Sequence, residues 1–480
     1  MDGRNLTMLT DYYELTMMNA YYLKRMTDTV AVFDVFFRAY DESNYVIAAG
    51  LQQAVEYLLN LRFTDEDIKY LESTNGFDKG FLGSLKDFKF TGNIYAVEEG
   101  TVVFPTEPLL IVEAPINQAQ LVEGALLNIL NFQTLIATKA ARICRATDGG
   151  SVLEFGLRRA QAPDASIYGA RAAVIGGCDT TSNVLAAQMF GVPPAGTHAH
   201  SWVMAFPTEI DAFRAYAEIY PDKCLLLVDT YDTLKSGVPN AIKVFDELKA
   251  KGIKPFGIRL DSGDLAYLSK QARKMLDDAG YKNAKICVSG DLDEYVIQSL
   301  KLQGACIDIY GVGTKMITSS HTPSLGGVYK LSALKDGNKY IPKMKVSDNP
   351  IKTTNPGRKS VYRLIDNHTK KALADVITLY DEKIDDNEDY KITSETERWK
   401  TMILTDFTAV PLLKNIIIGG KVVYDFPTLK QIKAKTKENL DAFWDEYKRN
   451  EKPQLFKVDL SDKLYSTKQK LIAATRGEIK

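Results

Sequence analysis

Leu225-Leu-Leu-Val-Asp229, Phe256-Gly-Ile-Arg-Leu-Asp261 and Ile286-Cys-Val-Ser-Gly-Asp291 are three short apolar runs, each ending on an aspartate, in steps of about thirty residues. Segments with helical spacing precede, separate and follow them, at roughly 209–217, 239–250, 266–279 and 293–302. One strand and one helix per thirty residues is the length of a βαβ unit, and right-handed crossovers wind such units into a parallel sheet or barrel. Phe155-Gly-Leu-Arg158 and Ile307-Asp-Ile-Tyr-Gly-Val-Gly-Thr314 add two more strand ends of the same kind. In a parallel barrel the C-terminal strand ends open on one face, where active sites sit. Asp229, Asp261, Asp291, Arg158, Arg259 and the glycines of 311–313 are therefore expected to converge on one cleft.

Outside this region the texture differs. Thr10 or Asp11 caps an expected helix within 6–27, and the β-branched and aromatic run Thr29–Arg38 reads as a strand. Helices are expected at 50–60 and 64–73, and short strands at Ile94–Val97 and Leu109–Val112. Such a mixture of hairpins and helices suits an α+β domain. Residues 119–146 carry few breakers and are apolar around more than half the circumference, which predicts a buried helix joining two domains. Strands are expected again near 341–346, 358–365 and 372–378, among the cations Lys343, Lys345, Lys352, Arg358 and Lys359. A hairpin at Ile416–Val423, a charged helix around 428–450 and a polar tail complete the chain.

At 480 residues two or three domains are expected. A formal charge of −1 argues against a general nucleic-acid or membrane-surface role, while leaving room for a local anion pocket. The five scattered cysteines form no Cys-x-x-Cys pair and read as reduced, mostly buried thiols, and no apolar run is long enough to span a bilayer. Without a signal-like N-terminal segment, the expectation is a soluble cytoplasmic protein.

The candidate chemistry lies at the strand ends. Gly311-Val-Gly-Thr314 offers unobstructed backbone N–H groups for a phosphate, and Ser289-Gly-Asp291 repeats the device at the preceding end. Asp261-Ser-Gly-Asp264 either caps a helix through Ser262 or Asp264 or presents carboxylates to magnesium or ribose hydroxyls. Arg259 shares a strand face with Asp261 and could grip a carboxylate or phosphate in bidentate fashion. Arg158 and its neighbour Arg159 suit anion binding. In Gly191-Val-Pro-Pro-Ala-Gly-Thr-His-Ala-His-Ser-Trp202, His198 and His200 are two residues apart, so in an extended chain only one faces a given cleft. A histidine there suits proton transfer or acceptance of a phosphoryl group. These groups describe a pocket for a phosphorylated sugar and an aromatic acid.

Leu9-Thr-Asp-Tyr-Tyr13, Glu154-Phe-Gly-Leu-Arg-Arg-Ala-Gln161, Gly176-Gly-Cys-Asp-Thr180, Gly196-Thr-His-Ala-His-Ser201, Arg259-Leu-Asp-Ser-Gly-Asp264, Gly311-Val-Gly-Thr314 and Pro323-Ser-Leu-Gly-Gly-Val-Tyr-Lys330 together resemble the nicotinate phosphoribosyltransferase family, from about residue 6 to about 425. The resemblance implies α/β plus α+β architecture. An irregular TIM-like α/β barrel domain (136–335) would stand beside a split α+β open-sandwich domain (1–135 and 336–425), with 426–480 as a helical C-terminal extension. It implies that nicotinate and phosphoribosyl pyrophosphate yield nicotinate mononucleotide and diphosphate, the first step of NAD salvage from nicotinate. ATP hydrolysis accompanies the transfer, with Mg2+ as cofactor, through a ligase-type reaction with phosphohistidine at His200. His198 falls on a variable motif position and is left out of the chemistry. Tyr13, Phe155, Thr197 and Arg259 are implied as nicotinate contacts, Tyr13 from the partner of a homodimer with shared active sites. Arg158, Asp261, Ser262, Gly263, Gly290, Asp291, Gly313 and Thr314 are expected on the phosphoribosyl side, and Asp229 as the carboxylate that orients His200. No metal ligands are assigned. A nicotinamide-specific cousin, a barrel isomerase or aldolase, and a non-catalytic nucleotide-binding module are the competing readings; the isomerase or aldolase would want an isolated lysine or glutamate at a strand end.

Overall fold

The computed structural model describes residues 4–39, 45–349 and 352–477. The chain divides into two units, Met1–Leu135 with Ser324–Lys480, and Ile136–Pro323. The division falls inside the long helix Glu123–Ala146, which follows a shorter helix, Ile116–Leu121, after a break at Val122.

The second unit is built on a six-stranded parallel sheet in the order Thr180–Thr181, Ser151–Glu154, Ile309–Val312, Lys285–Ser289, Gly257–Leu260, Leu225–Leu227. Leu226, Ile258, Ile286 and Val288 are wholly buried, as expected where helices cover both faces of a parallel sheet. The connecting helices Glu209–Ile219, Leu265–Asp278 and Glu294–Leu302 begin at Thr208, Asp264 and Asp293. Each of these side chains accepts a first-turn N–H that the helix itself cannot satisfy. The strands have only two to five residues, so the polar residues that follow the apolar runs are delivered directly to the rim at the C-terminal strand ends.

The first unit holds a seven-stranded antiparallel sheet. Its order is Lys339–Pro342, Gly327–Asp336, Val30–Phe37, Leu110–Pro115, Asn93–Val97, Leu413–Ile418, Lys421–Val422. Val30–Phe37 is buried on both faces. Phe33, Val35 and Phe37 enter the large core, while Val32 enters a smaller cluster with Ile111 and Ala333, the two-residue alternation of a strand. A second sheet aligns Phe407–Pro411, Lys359–Asp366, Ala372–Leu379 and Val458–Leu460.

Two expectations about boundaries change. The strand Gly327–Asp336 pairs with Val30–Phe37, so residues 324–335 belong to the first unit rather than to the 136–335 domain. Residues 426–480 are not a separate helical extension. Val458–Leu460 adds a parallel strand to Ala372–Leu379, Phe456 stacks on Phe104 with centroids 4.3 Å apart, and Asn439 donates to the Gly100 carbonyl at 2.9 Å. The charged helix is also shorter than expected, Leu429–Asp441, and the tail carries another helix, Asp462–Thr475. Of the expected basic cluster, Lys359 is buried in an ion pair with Asp34 at 2.6 Å. Arg358 pairs with Glu113 at 3.3 Å under the rings of Tyr95 and Tyr380. These two cations hold the first unit together and offer no anion site. All five cysteines are free thiols, and no described helix is long and apolar enough to cross a membrane.

Candidate active site

Arg259 is the hub at the C-terminal strand ends. Its Nε donates to Ser289 Oγ, Nη1 to Thr197 Oγ1 and Nη2 to Asp261 Oδ1, each at 2.8 Å. A guanidinium carries five N–H donors, so a second N–H on each terminal nitrogen is left for a ligand. The cation lies 5.5 Å from the Phe155 ring centroid. Asp261 shares its Oδ1 with Ser289, whose hydroxyl donates to it. Burial pushes the Asp261 carboxyl up, but the Ser289 and Arg259 hydrogen bonds and the nearby charges prevail, and its pKa lies below the usual aspartate value.

Phe155, Arg158, Arg159, Arg259, Asp261, Ser289, Gly290, Asp291, Gly311, Gly313 and Thr314 line one cavity of about 210 Å³. The strand register brings this about: Ser289 pairs with Gly311, and Cys287 with Arg259, so consecutive strand ends stop level with one another. A β-carbon on Gly311 would stand 2.7 Å from the Phe155 ring, and one on Gly290 (φ +97°) 2.7 Å from the Asp261 carbonyl. These glycines allow the strand ends to close up around the cavity. Arg158 and Arg159 are exposed at its mouth. The carboxylate of Glu154, buried behind Phe155, accepts from the Gly156 N–H and from Thr181 Oγ1 and so holds the turn that aims the arginines.

His200 begins the short helix His200–Met204, with its ring about two-fifths exposed. Its Nδ1 lies 3.1 Å from Thr230 Oγ1 and its Nε2 3.9 Å from Asp261 Oδ2. The expectation that Asp229 orients this ring is corrected. Asp229 Oδ2 instead accepts from the Asp261 N–H at 2.9 Å and from Ser262 Oγ at 2.6 Å. The carboxylate follows a strand and turns back onto the neighbouring strand end, which leaves the hydroxyl of the next residue to meet the imidazole. Its Oδ1 is buried with no hydrogen-bond partner among the described residues. Between the two readings of Asp261-Ser-Gly-Asp264, Asp264 is the helix cap, accepting from Tyr267 N–H at 3.0 Å, and Asp261 faces the cavity. Gly263 takes φ +82° in the turn between them.

Tyr13 belongs to the first unit, in the first turn of Tyr12–Leu23, and is nearly half exposed. The structure therefore brings Thr197, His200, Arg259, Asp261, Ser262 and the 289–291 and 311–314 loops together, with Phe155 and Arg158 alongside. Sequence reading named Ser289 only as the start of the Ser289-Gly-Asp291 loop and Glu154 only within a matching motif, without their hydrogen-bonding roles, and it passed over Thr230. The role of Ser289 was discoverable, since that residue stands at the same strand-end position as Asp261; Thr230 carried no signal beyond following Asp229. No group of three or more His, Cys, Asp or Glu side chains among the described residues is arranged to hold a metal ion by itself.

Comparison with known proteins identifies relatives of the whole chain. The family described as "Nicotinate phosphoribosyltransferase (NAPRTase) family" matches residues 151–382, its N-terminal domain 8–131 and its C-terminal domain 358–468. The nicotinate phosphoribosyltransferase of Bacillus subtilis is 46% identical over 99% of this chain and 97% of its own. That of Dictyostelium discoideum is 34% identical over 97% and 88%. The crystal structure of human nicotinic acid phosphoribosyltransferase superposes with a TM-score of 0.85 at 30% identity, covering 97% of this chain and all of that one.

Proposed function

The chain belongs to the nicotinate phosphoribosyltransferase family, and from that premise we propose that it joins nicotinate to phosphoribosyl pyrophosphate, releasing diphosphate and forming nicotinate mononucleotide for NAD synthesis. The observation that carries this reading is Arg259, with two N–H groups to spare beside the Phe155 ring and above the glycine-lined cavity. The spare donors suit the substrate carboxylate in bidentate fashion, Thr197 fixes the guanidinium from behind, and Phe155 offers a face to the pyridine ring.

The pyridine nitrogen attacks the anomeric carbon of the ribose as the bond from that carbon to the diphosphate oxygen breaks. The leaving electron pair goes to diphosphate. Arg158, Arg159 and the backbone N–H groups of 290–291 and 313–314 suit the phosphates, and Asp261 and Asp291 the ribose hydroxyls or the cation developing on the sugar. Mg2+ fits the carboxylates present. The buried Asp229 Oδ1 has no hydrogen-bond partner among the described residues, the Asp261 N–H bonds the other oxygen of the same carboxylate, and magnesium takes most of its ligands from water and substrate phosphates. Bound there, it would neutralise charge on the diphosphate.

His200 accepts the γ-phosphoryl group of ATP on Nε2, releasing ADP, while Thr230 holds Nδ1; water later hydrolyses the phosphohistidine. Its half-open ring, one nitrogen anchored and the other free of a short contact, supports this role. Hydrogen bonds at both sheet edges support reading the second unit as an irregular TIM-like barrel, with the first unit as a split open sandwich. The exposed Tyr13 supports a homodimer in which each subunit completes its partner's site. The test is product analysis by chromatography after mixing the protein with phosphoribosyl pyrophosphate, Mg-ATP and either nicotinate or nicotinamide. Nicotinate mononucleotide with equimolar diphosphate is expected; turnover of nicotinamide alone would overturn the assignment.

A further inference from the structure

The parallel sheet of the second unit has two free edges, Thr180–Thr181 and Leu225–Leu227, and residues 193–200 are bonded to both. At the first, Thr181 N–H donates to the Pro193 carbonyl at 3.4 Å and Ala195 N–H to the Thr181 carbonyl at 3.0 Å, as in a strand. The second edge is met differently. Val228 N–H donates inward to the Arg259 carbonyl at 3.1 Å, so the alternation of a strand turns the N–H of Leu227 outward. No carbonyl receives it; it donates to Nε2 of His198 at 3.2 Å. The ring is 7% exposed and packed edge-on against Tyr216, with centroids 4.7 Å apart.

We propose that His198 is a positioning residue whose Nε2 lone pair replaces a strand carbonyl, closing the sheet at Leu227 and thereby setting Thr197 against Arg259 and His200 against Thr230. The flanking contacts follow from the same placement. Thr197 accepts from Arg259 one residue before His198, and His200 reaches Thr230 two residues after it, so all three anchors act on four consecutive residues. Accepting at Nε2 requires a neutral ring with its proton on Nδ1. That Nδ1 is a buried atom with no hydrogen-bond partner among the described residues, so the ring satisfies the backbone N–H of Leu227 at the expense of its own. An apolar side chain of similar size would fill the space but leave the Leu227 N–H buried and unpaired, which native structures avoid. The effect on catalysis rests on the proposed function; the tautomer and the closure do not.

The test uses the full chain labelled with 15N in its histidine rings, together with His198→Gln, which keeps an acceptor near the Nε2 position, and His198→Leu, which removes it. At neutral pH the His198 resonances, assigned by their loss in either variant, are expected to show the neutral Nδ1–H form. The Leu227 amide is expected to exchange with solvent slowly in the parent and in His198→Gln and faster in His198→Leu. Losing the acceptor for one buried donor corresponds to about five- to a hundredfold in nicotinate KM, with kcat changed less and His198→Gln close to the parent. An Nε2–H or doubly protonated ring in the parent, or a Leu227 amide equally protected in a folded His198→Leu, overturns the proposal. If His198→Leu does not fold, the parent spectra and His198→Gln decide. If the parent itself transfers no phosphoribosyl group, the functional reading fails while ring state and amide exchange still decide the closure.

Discussion

Replacing Arg259 with alanine removes three hydrogen bonds of 2.8 Å at once, to Ser289, Thr197 and Asp261, and with them the charge offered to the substrate. Deleting one partner of a buried, hydrogen-bonded charge pair costs about 2–5 kcal/mol. At about 1.4 kcal/mol per factor of ten, nicotinate KM should rise from about 30-fold to several thousandfold. Under the proposed function the carboxylate is gripped before and during transfer alike, so kcat at saturating nicotinate should fall much less. Arg259→Lys keeps the charge, but a single ammonium cannot reach Ser289, Thr197 and Asp261 together, so its KM should lie between. Initial rates against nicotinate at saturating phosphoribosyl pyrophosphate measure this, with thermal melts to confirm that the variants fold. A folded Arg259→Ala with nicotinate KM within twofold of the parent would show that the carboxylate binds elsewhere.

Incubation with γ-labelled Mg-ATP should place an acid-labile phosphate on the protein that His200→Ala abolishes and His198→Gln retains; Thr230→Val, lacking the hydrogen bond to Nδ1, should slow labelling about fivefold or more. Tyr13→Ala and His200→Ala, each inactive alone, should regain activity after subunit exchange, since one site of each mixed dimer then lacks both lesions; a mixture that stays inactive despite exchange refutes a shared site. Lys359→Met strands Asp34 without its partner in the core and should cost about 3–5 kcal/mol in urea unfolding, with nicotinate KM unchanged in protein that remains folded. Burial, with the charges of Arg259 and His200 nearby, pushes the His198 pKa down to about 4. The unfolded chain therefore binds a proton that the fold refuses between about pH 6.5 and 4. Stability should fall with decreasing pH across that window, and the fall should be shallower in His198→Gln.

The part of the fold that was legible in sequence is the part where one period dominates. The strands of the second unit are apolar runs ending on an aspartate, serine or glycine, and their helices carry capping residues at their starts, so the repeat declares itself. Residues 324–335 were assigned to the wrong unit because nothing local in Gly327–Asp336 says whether it pairs with Ile309–Val312 or with Val30–Phe37; only the antiparallel register to Val30–Phe37 decides it. The last fifty residues were opaque for a related reason. Val458–Leu460 is three residues long, too short for a visible alternation, and its place beside Ala372–Leu379 is a long-range pairing.

The site shows the same limit at the level of single side chains. Arg259 and Asp261 could be placed together because a strand repeats every two residues, and the glycine turns because phosphate-binding backbone has a compositional mark. The partner of His200 could not be found that way. Asp229 was the chemically attractive choice, a carboxylate at the end of the adjoining strand, yet an aspartate there also faces the unpaired N–H of Asp261 and the hydroxyl of Ser262. Two donors hold one of its oxygens, and the imidazole is met by Thr230. A hydroxyl partner leaves a different His200 from the one a carboxylate would make. It adds no negative charge beside Nδ1, while the carboxylate of Asp261 lies 3.9 Å from the opposite nitrogen, already engaged by Arg259 and Ser289. Any phosphoryl group arriving at Nε2 therefore comes up against Asp261, and its repulsion would fall on the same carboxylate that holds Arg259. Under the proposed function, charge added at His200 would act on Arg259 through one shared side chain, Asp261, and so give ATP a physical route to how tightly the acid is held.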